Sequence, residues 1–115
     1  MKKNTLPKYM RISKSKEICF ILKNAKKICT SWVIFFYHTN LFNYPRIGLI
    51  VLKKYIYLSH DRNRIKRLIK ENFRLNQFKL IKFDFLIFPK KNILKYKNDV
   101  LQKKLNILWE NHFYL

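Results

Sequence analysis

The stretch His60–Arg74, HDRNRIKRLIKENFR, sets six lysine and arginine side chains and two carboxylates around Ile65, Leu68, Ile69 and Phe73. At about 100° per residue, these four apolar residues gather on one arc of a helix, and Asn63, Lys66, Arg67, Lys70 and Arg74 fall on the opposite arc. The spacing predicts a helix from Ser59 to Asn76 with Ser59 or Asp61 as its cap, half of it core and half a cationic rail. Its charges do not serve helix stability. Arg62 and Arg64 add positive charge to a first turn that is already positive from unpaired N–H groups. Arg62/Lys66 and Lys66/Lys70 are like-charge i,i+4 pairs, each unfavourable by about 0.2–0.5 kcal/mol. The plain alternative is a solvated face, but solvated faces usually mix signs. The run points to a negative partner, phosphate above all.

Working outward from this helix, RIGLIVLK (Arg46–Lys53) and WVIFFYHT (Trp32–Thr39) have the β-branched and aromatic composition of strands. The loop between them, NLFNYP, is short enough for antiparallel pairing. Lys26–Cys29 adds a small strand before them, and Ser13–Lys23 reads as a short helix capped by Ser13 or Ser15. Beyond the charged helix, Lys82–Phe88 is apolar enough to be a central strand. Asn98 or Asp99 then caps a last helix striped by Leu101, Leu105, Leu108 and Trp109. Alternation along the second strand sends Trp32, Ile34 and Phe36 to one face and Val33, Phe35 and Tyr37 to the other. The expected architecture is α+β, a small α/β sandwich in the order α-β-β-β-α-β-α, within one domain spanning residues 1–115.

The chain carries 26 Lys and Arg against 6 Asp and Glu, a formal charge of +20. A domain this basic repels itself until it meets a polyanion, which is nucleic acid before an anionic membrane. With 49% hydrophobic and 17% aromatic residues it is too apolar to be a solvated tail. The excess of Lys, Ile and Asn, with one Gly, has the look of an AT-rich coding bias, which warns against giving every lysine a role.

Several chemistries find no support. Cys19 and Cys29 stand ten residues apart, outside metal-ligand spacing, and read as reduced, partly buried small hydrophobes. The six acids, Glu17, Asp61, Glu71, Asp84, Asp99 and Glu110, form no pair or cluster suited to metal-dependent hydrolysis. His38, His60 and His112 are isolated. Residues 28–45 bear no formal charge, but Thr, Ser, Asn and His interrupt them and they end in turn formers, so strand and loop fit better than a membrane span. The opening MKKNTLPKYMR lacks the apolar stretch of a secretory signal. A cytoplasmic protein with no membrane partner is expected.

RNRIKRLIKENFR also resembles the signature helix of the bacterial ribonuclease P protein subunit, an Arg-Asn-Arg triplet followed by a spacer, Lys-Arg, and then a basic residue and Glu. Arg62, Asn63, Arg64, Lys66, Arg67 and Glu71 match it; Lys70 stands where the family usually has Arg. RIGLIVLKK resembles the family's preceding strand, except that Leu52 replaces a Ser. The segment from Leu6-Pro7 to Tyr37 resembles its opening, except that Ala25 replaces a usual Gly. FDFLIFPKKN and the helix ending near Trp109 resemble its closing elements. The resemblance spans almost the whole chain, in order.

The resemblance implies a fold like domain 2 of ribosomal protein S5, with a left-handed crossover through the signature helix. It implies a subunit of the tRNA 5′-processing endoribonuclease, a ribonucleoprotein whose catalytic RNA holds the magnesium ions. This chain would then supply no catalytic residue and bind no cofactor itself. Arg62, Asn63, Arg64, Lys66, Arg67 and Lys70, with Lys53 and Lys54, would bind the catalytic RNA. Phe36, Ile18, Leu22 and Arg11 would contact the 5′ leader of precursor tRNA in a cleft between the sheet and the first helix. Ile18 and Leu22 occupy positions where the family often has Phe, so base stacking there would be lost. The alternative reading is a basic ribosomal protein or RNA assembly factor with no part in cleavage.

Overall fold

Strand β4 (Phe83–Pro89) is the axis of the fold, hydrogen-bonded on both sides in a sheet ordered β1 (Lys26–Cys29), β2 (Val33–Thr39), β4, β3 (Arg46–Leu49). The computed structural model describes residues 6–115; positions 1–5 of the opening segment read for a signal lie outside the described residues. Strand β1 runs antiparallel to β2, which runs antiparallel to β4 with Phe35 opposite Ile87. Strand β3 lies parallel to β4, with Arg46 opposite Asp84.

This corrects the expected antiparallel pairing of the second and third strands. Phe85, Leu86 and Ile87 are fully buried, and a strand so apolar on both faces is best satisfied in the middle, where each edge also finds hydrogen bonds. It therefore takes the place between β2 and β3. The third strand is also shorter than read, ending at Leu49 rather than Lys53. One more bond, from Ile50 N to Ile87 O, closes the pairing before the chain turns away.

The sheet faces divide by alternation. On one side Val33, Phe35, Ile47, Phe85 and Ile87 meet helix α2 (Ser59–Asn76) and helix α3 (Asn98–His112) in the main core. Trp109 is its hub, with ring centroids 5.1 Å from Phe35 and 5.2 Å from Phe85. Each such buried aromatic contributes about 1.5–3 kcal/mol. On the other side Leu86, Phe36 and Phe88 meet helix α1 (Ser15–Asn24) through Ile18 and Ile21, with Ile12 beneath. Ten residues of helix cannot cover this face, and part of it stays open.

Trp32 departs from the expected alternation. It precedes the strand and joins the main core instead of the face of Ile34 and Phe36, because Thr30 Oγ1 accepts from the N–H groups of Trp32 and Val33 and bends the chain there. The cap residues differ as well. The N-caps are Lys14, Leu58 and Lys97, none with a side-chain capping bond. Cys19 and Cys29 are exposed, not partly buried; Cys19 lies on α1 and Cys29 on the edge strand β1.

Helices α2 and α3 are held in register by a buried polar ladder. Asn72 donates to Gln102 Oε1 at 2.6 Å and Asn106 Oδ1 at 3.0 Å, and accepts from Trp109 Nε1 at 2.7 Å. Asn76 also donates to Asn106 Oδ1, at 3.1 Å, and accepts from the Tyr114 hydroxyl at 2.6 Å. Fully satisfied buried networks fix one arrangement. This one sets which face of α2 is turned outward.

Candidate nucleic-acid interface

Ile65, Leu68, Ile69 and Phe73 are buried beneath α2 as the spacing required. Asn63 and Arg67 are exposed on its outer surface, and Lys66 and Lys70 are half-buried beside them. These four line a shallow cleft of about 350 Å³ with Leu6 and Arg11. Arg11 is anchored by two bonds from its guanidinium to the carbonyl oxygen of Leu6, at 2.6 and 3.2 Å. Glu71 also lines the cleft and is engaged by Arg74.

Burial, and then the charges of Arg11 and Lys66, hold the Lys70 ammonium below the usual lysine range. Four cations, Arg11, Lys66, Arg67 and Lys70, thus share one cleft with the single carboxylate of Glu71. Arg11, read from the resemblance as a leader contact, lines the cleft of the α2 cations and is not among the residues that line the groove of Phe36.

The two arginines of the triplet are partly engaged within the protein. Arg62 Nη1 donates to the carbonyl oxygens of Ile56 at 3.0 Å and Tyr57 at 2.6 Å. Arg64 Nη1 donates to Asn98 Oδ1 at 2.6 Å, joining the start of α2 to the start of α3. Lys53 and Lys54 are exposed in the turn after β3, each ammonium over a tyrosine ring, at 5.8 Å from Tyr57 and 5.0 Å from Tyr55.

The open part of the second sheet face is a groove of about 560 Å³ lined by Leu22, Ile34, Phe36, Leu52, Tyr55 and Phe88, with Lys90 and Lys91 at its edge. Phe36 packs edge-on to Phe88 at 5.3 Å. Leu22 is 38% exposed at the groove. Ile18, by contrast, is half-buried against the small cluster under α1. The structure brings Phe36 and Leu22 together and leaves Ile18 beneath them.

One feature escaped the sequence reading. Arg46, 8% exposed, makes a bidentate pair with Asp84, Nε to Oδ1 at 2.9 Å and Nη2 to Oδ2 at 2.8 Å, and reaches Glu17 Oε2 at 3.1 Å. Asn40 Nδ2 also donates to Asp84, at 2.8 Å. These bonds raise the Arg46 pKa further above its already high range against the opposing effect of burial. Two of the six acids, 67 positions apart, thus share one arginine. No sequence signal links them without the β3–β4 register. Among the described residues no three His, Cys, Asp or Glu side chains gather as a metal site, and no helix is long and apolar enough to cross a membrane.

The ribonuclease P family model matches residues 6–112. The chain is similar to the ribonuclease P protein component of Baumannia cicadellinicola, 40% identical over 106 residues covering 92% of each chain. The corresponding protein of Blochmanniella pennsylvanica is 39% identical over 113 residues, 97% of this chain and 98% of that one. Among solved structures, the Staphylococcus aureus ribonuclease P protein superposes with a TM-score of 0.84 at 22% identity, covering 92% of this chain and 98% of that one. The Thermotoga maritima protein gives 0.76 at 25% identity, covering 85% and 93%.

Proposed function

The chain belongs to the ribonuclease P protein family, the protein subunit of a holoenzyme that cleaves tRNA precursors, and from that premise we propose a division of labour between its two surfaces. The outer face of α2, with Arg11, binds the catalytic RNA; the groove beside α1 takes the 5′ leader of precursor tRNA. The observation that carries the reading is the cleft in which Arg11, Lys66 and Lys70 converge, where burial first and then the two neighbouring charges lower the Lys70 pKa. RNA phosphates relieve that repulsion and release counterions. Asn63, beside them, offers hydrogen bonds to backbone or base.

Arg62 and Arg64 act in two ways in this reading. Each holds its own neighbourhood in shape and presents its remaining donors to RNA. Lys53 and Lys54 extend the basic surface from the preceding turn. In the groove, Phe36 and Leu22 offer an apolar floor to leader bases, and Lys90 and Lys91 a cationic edge.

The protein works in the cytoplasm in this account, and the magnesium ions of the reaction belong to the RNA. The donor set fits a metal poorly. Glu17 and Asp84 are committed to Arg46, and Glu71 to Arg74. The chain's contribution to cleavage is then binding and orientation, which can lower a barrier by fixing reactant geometry.

The test is reconstitution with the catalytic RNA that co-purifies. Neutralising Lys66 and Lys70 should weaken assembly with that RNA, and Phe36→Ala should weaken precursor binding by the assembled enzyme while assembly stays normal. Capture of ribosomal RNA instead would favour an assembly factor.

A further inference from the structure

Beyond the α2 face and the leader groove, a third concavity of about 530 Å³ opens where α1 meets the end of β2. It shares no lining residue with either of the other two. Its floor is the Arg46–Asp84 pair; its walls are Phe20 and Phe42; Lys16, Glu17 and His38 stand around it. We propose that this pocket binds one unpaired nucleobase of an RNA partner, by stacking on Phe20 and by hydrogen bonds from an exocyclic amine to Glu17 and His38. The proposal rests on the chain's having RNA partners, and is independent of the assignment of the leader groove.

The ring is available. Phe20 is 56% exposed although α1 offers it the same sheet face that buries Ile21, and its ring meets His38 edge-on at 5.6 Å. Leaving a phenyl group in water sacrifices burial that a stacked base restores. Phe42 is held in place by Arg46, whose Cζ is 4.5 Å from the ring centroid, and by Tyr44 at 5.3 Å. It forms the opposite wall of the pocket.

The polar groups are set by the same network. Glu17 spends Oε2 on Arg46, and Oε1 is left as an acceptor on a side chain that is 38% exposed. His38 Nδ1 lies 2.7 Å from the carbonyl oxygen of Thr39. A carbonyl only accepts, so Nδ1 donates to it, and in that tautomer Nε2 is left as an acceptor. Two acceptors beside a stacking ring suit a base that bears an amine, such as cytosine, over uracil. The buried Arg46 offsets one of the two carboxylate charges it pairs with, and Lys14, Lys16 and Lys23, at the start of α1 and along it, are exposed for flanking phosphates.

The base could come from the catalytic RNA or from precursor tRNA, and two binding arms separate them. Phe20→Ala should weaken either the protein's affinity for the catalytic RNA or the holoenzyme's affinity for precursor tRNA by roughly five- to a hundredfold. Phe20→Tyr should restore it, and Phe78→Ala, which removes a ring 88% exposed elsewhere, should change neither. Purified protein should also hold a cytidine octamer more tightly than a uridine octamer, about three- to tenfold, and Glu17→Ala, which removes one of the two acceptors, should reduce the difference.

Melting temperatures of all variants exclude misfolding, since the Phe20 ring is not in the core. If Phe20→Ala is silent in both arms while Phe36→Ala weakens precursor binding, the pocket is refuted and the groove stands. If the reverse holds, the groove is refuted and the pocket stands. Equal affinity for the two octamers would overturn the role given to Glu17 and His38.

Discussion

Arg62 donates from Nη1 to the carbonyl oxygen of Tyr57 at 2.6 Å, so a cation set at the start of a helix closes the turn that leads into it. The misplaced first-turn charge is therefore partly answered inside the protein. The carbonyls of Ile56 and Tyr57 supply negative partial charge, and the turn that carries Lys53 and Lys54 is tied to the helix. Replacing Arg62 by Ala should cost about 1 kcal/mol of stability, because a charged donor to two carbonyls is removed near the surface. Arg62→Lys should keep the charge and lose the fork. Chemical denaturation of both variants, beside RNA affinity, separates the structural share from the binding share.

Lys70 is expected to trade stability for binding. Its folded pKa lies below the ordinary lysine value near 10.5 because of burial, Arg11 and Lys66. In the window between the depressed and the ordinary value the unfolded chain binds more protons, so stability should rise as pH climbs through it. Lys70→Met should flatten that rise and increase stability at neutral pH by about 0.5 kcal/mol, while weakening RNA binding. A melting series between neutral and alkaline pH checks the sign.

Gly48 should tolerate no side chain. A Cβ there would lie 2.6 Å from Leu86 Cδ2 and 2.9 Å from the carbonyl oxygen of Ile12. Leu86 is a side chain at the centre of the sheet and Ile12 O is backbone that accepts no displacement cheaply. Gly48→Ala should therefore destabilise the fold by about 1–3 kcal/mol, read as a lower denaturant midpoint.

Ile18 and Leu22, which the family resemblance pairs, should part company on mutation. Leu22 borders the groove and Ile18 packs under α1. Leu22→Phe should strengthen leader binding, up to the roughly 1–3 kcal/mol of a stacked base. Ile18→Phe should instead overpack the cluster with Ile21 and Leu86 and lower stability by about 1–3 kcal/mol. Leader titration and thermal melting of the two single variants decide it.

What the sequence made legible follows from range. The helix over residues 59–76 and its buried face depend on local periodicity, and Ile65, Leu68, Ile69 and Phe73 announce it without help from the rest of the chain. The stripe Leu101, Leu105, Leu108 and Trp109 is read the same way. Strand pairing is a long-range choice. Nothing between Thr39 and Arg46 reveals that residues 83–89 will intervene, and the short loop argued for the wrong partner. The Arg46–Asp84–Glu17 cluster was hidden for that reason, the parallel register bringing Arg46 to Asp84 and the packing of α1 on the sheet adding Glu17. Arg62 was legible as a cation and not as a donor to Tyr57, because its partner lies in an irregular turn. Cap residues failed for a smaller cause, the chain entering all three helices with Lys or Leu at the capping position.

The central claim is that a defined face of α2, and not diffuse attraction to a +20 surface, holds the RNA. The measurement is the salt dependence of affinity for the catalytic RNA, compared between Lys66→Ala/Arg67→Ala and Lys95→Ala/Lys97→Ala. Both pairs remove two charges, and Lys95 and Lys97 are exposed beyond the cleft. The α2 pair should flatten the slope of log affinity against log salt by roughly 0.7–0.9 per lost phosphate contact, and the distal pair should leave it nearly unchanged. Equal flattening by the two pairs would contradict the account.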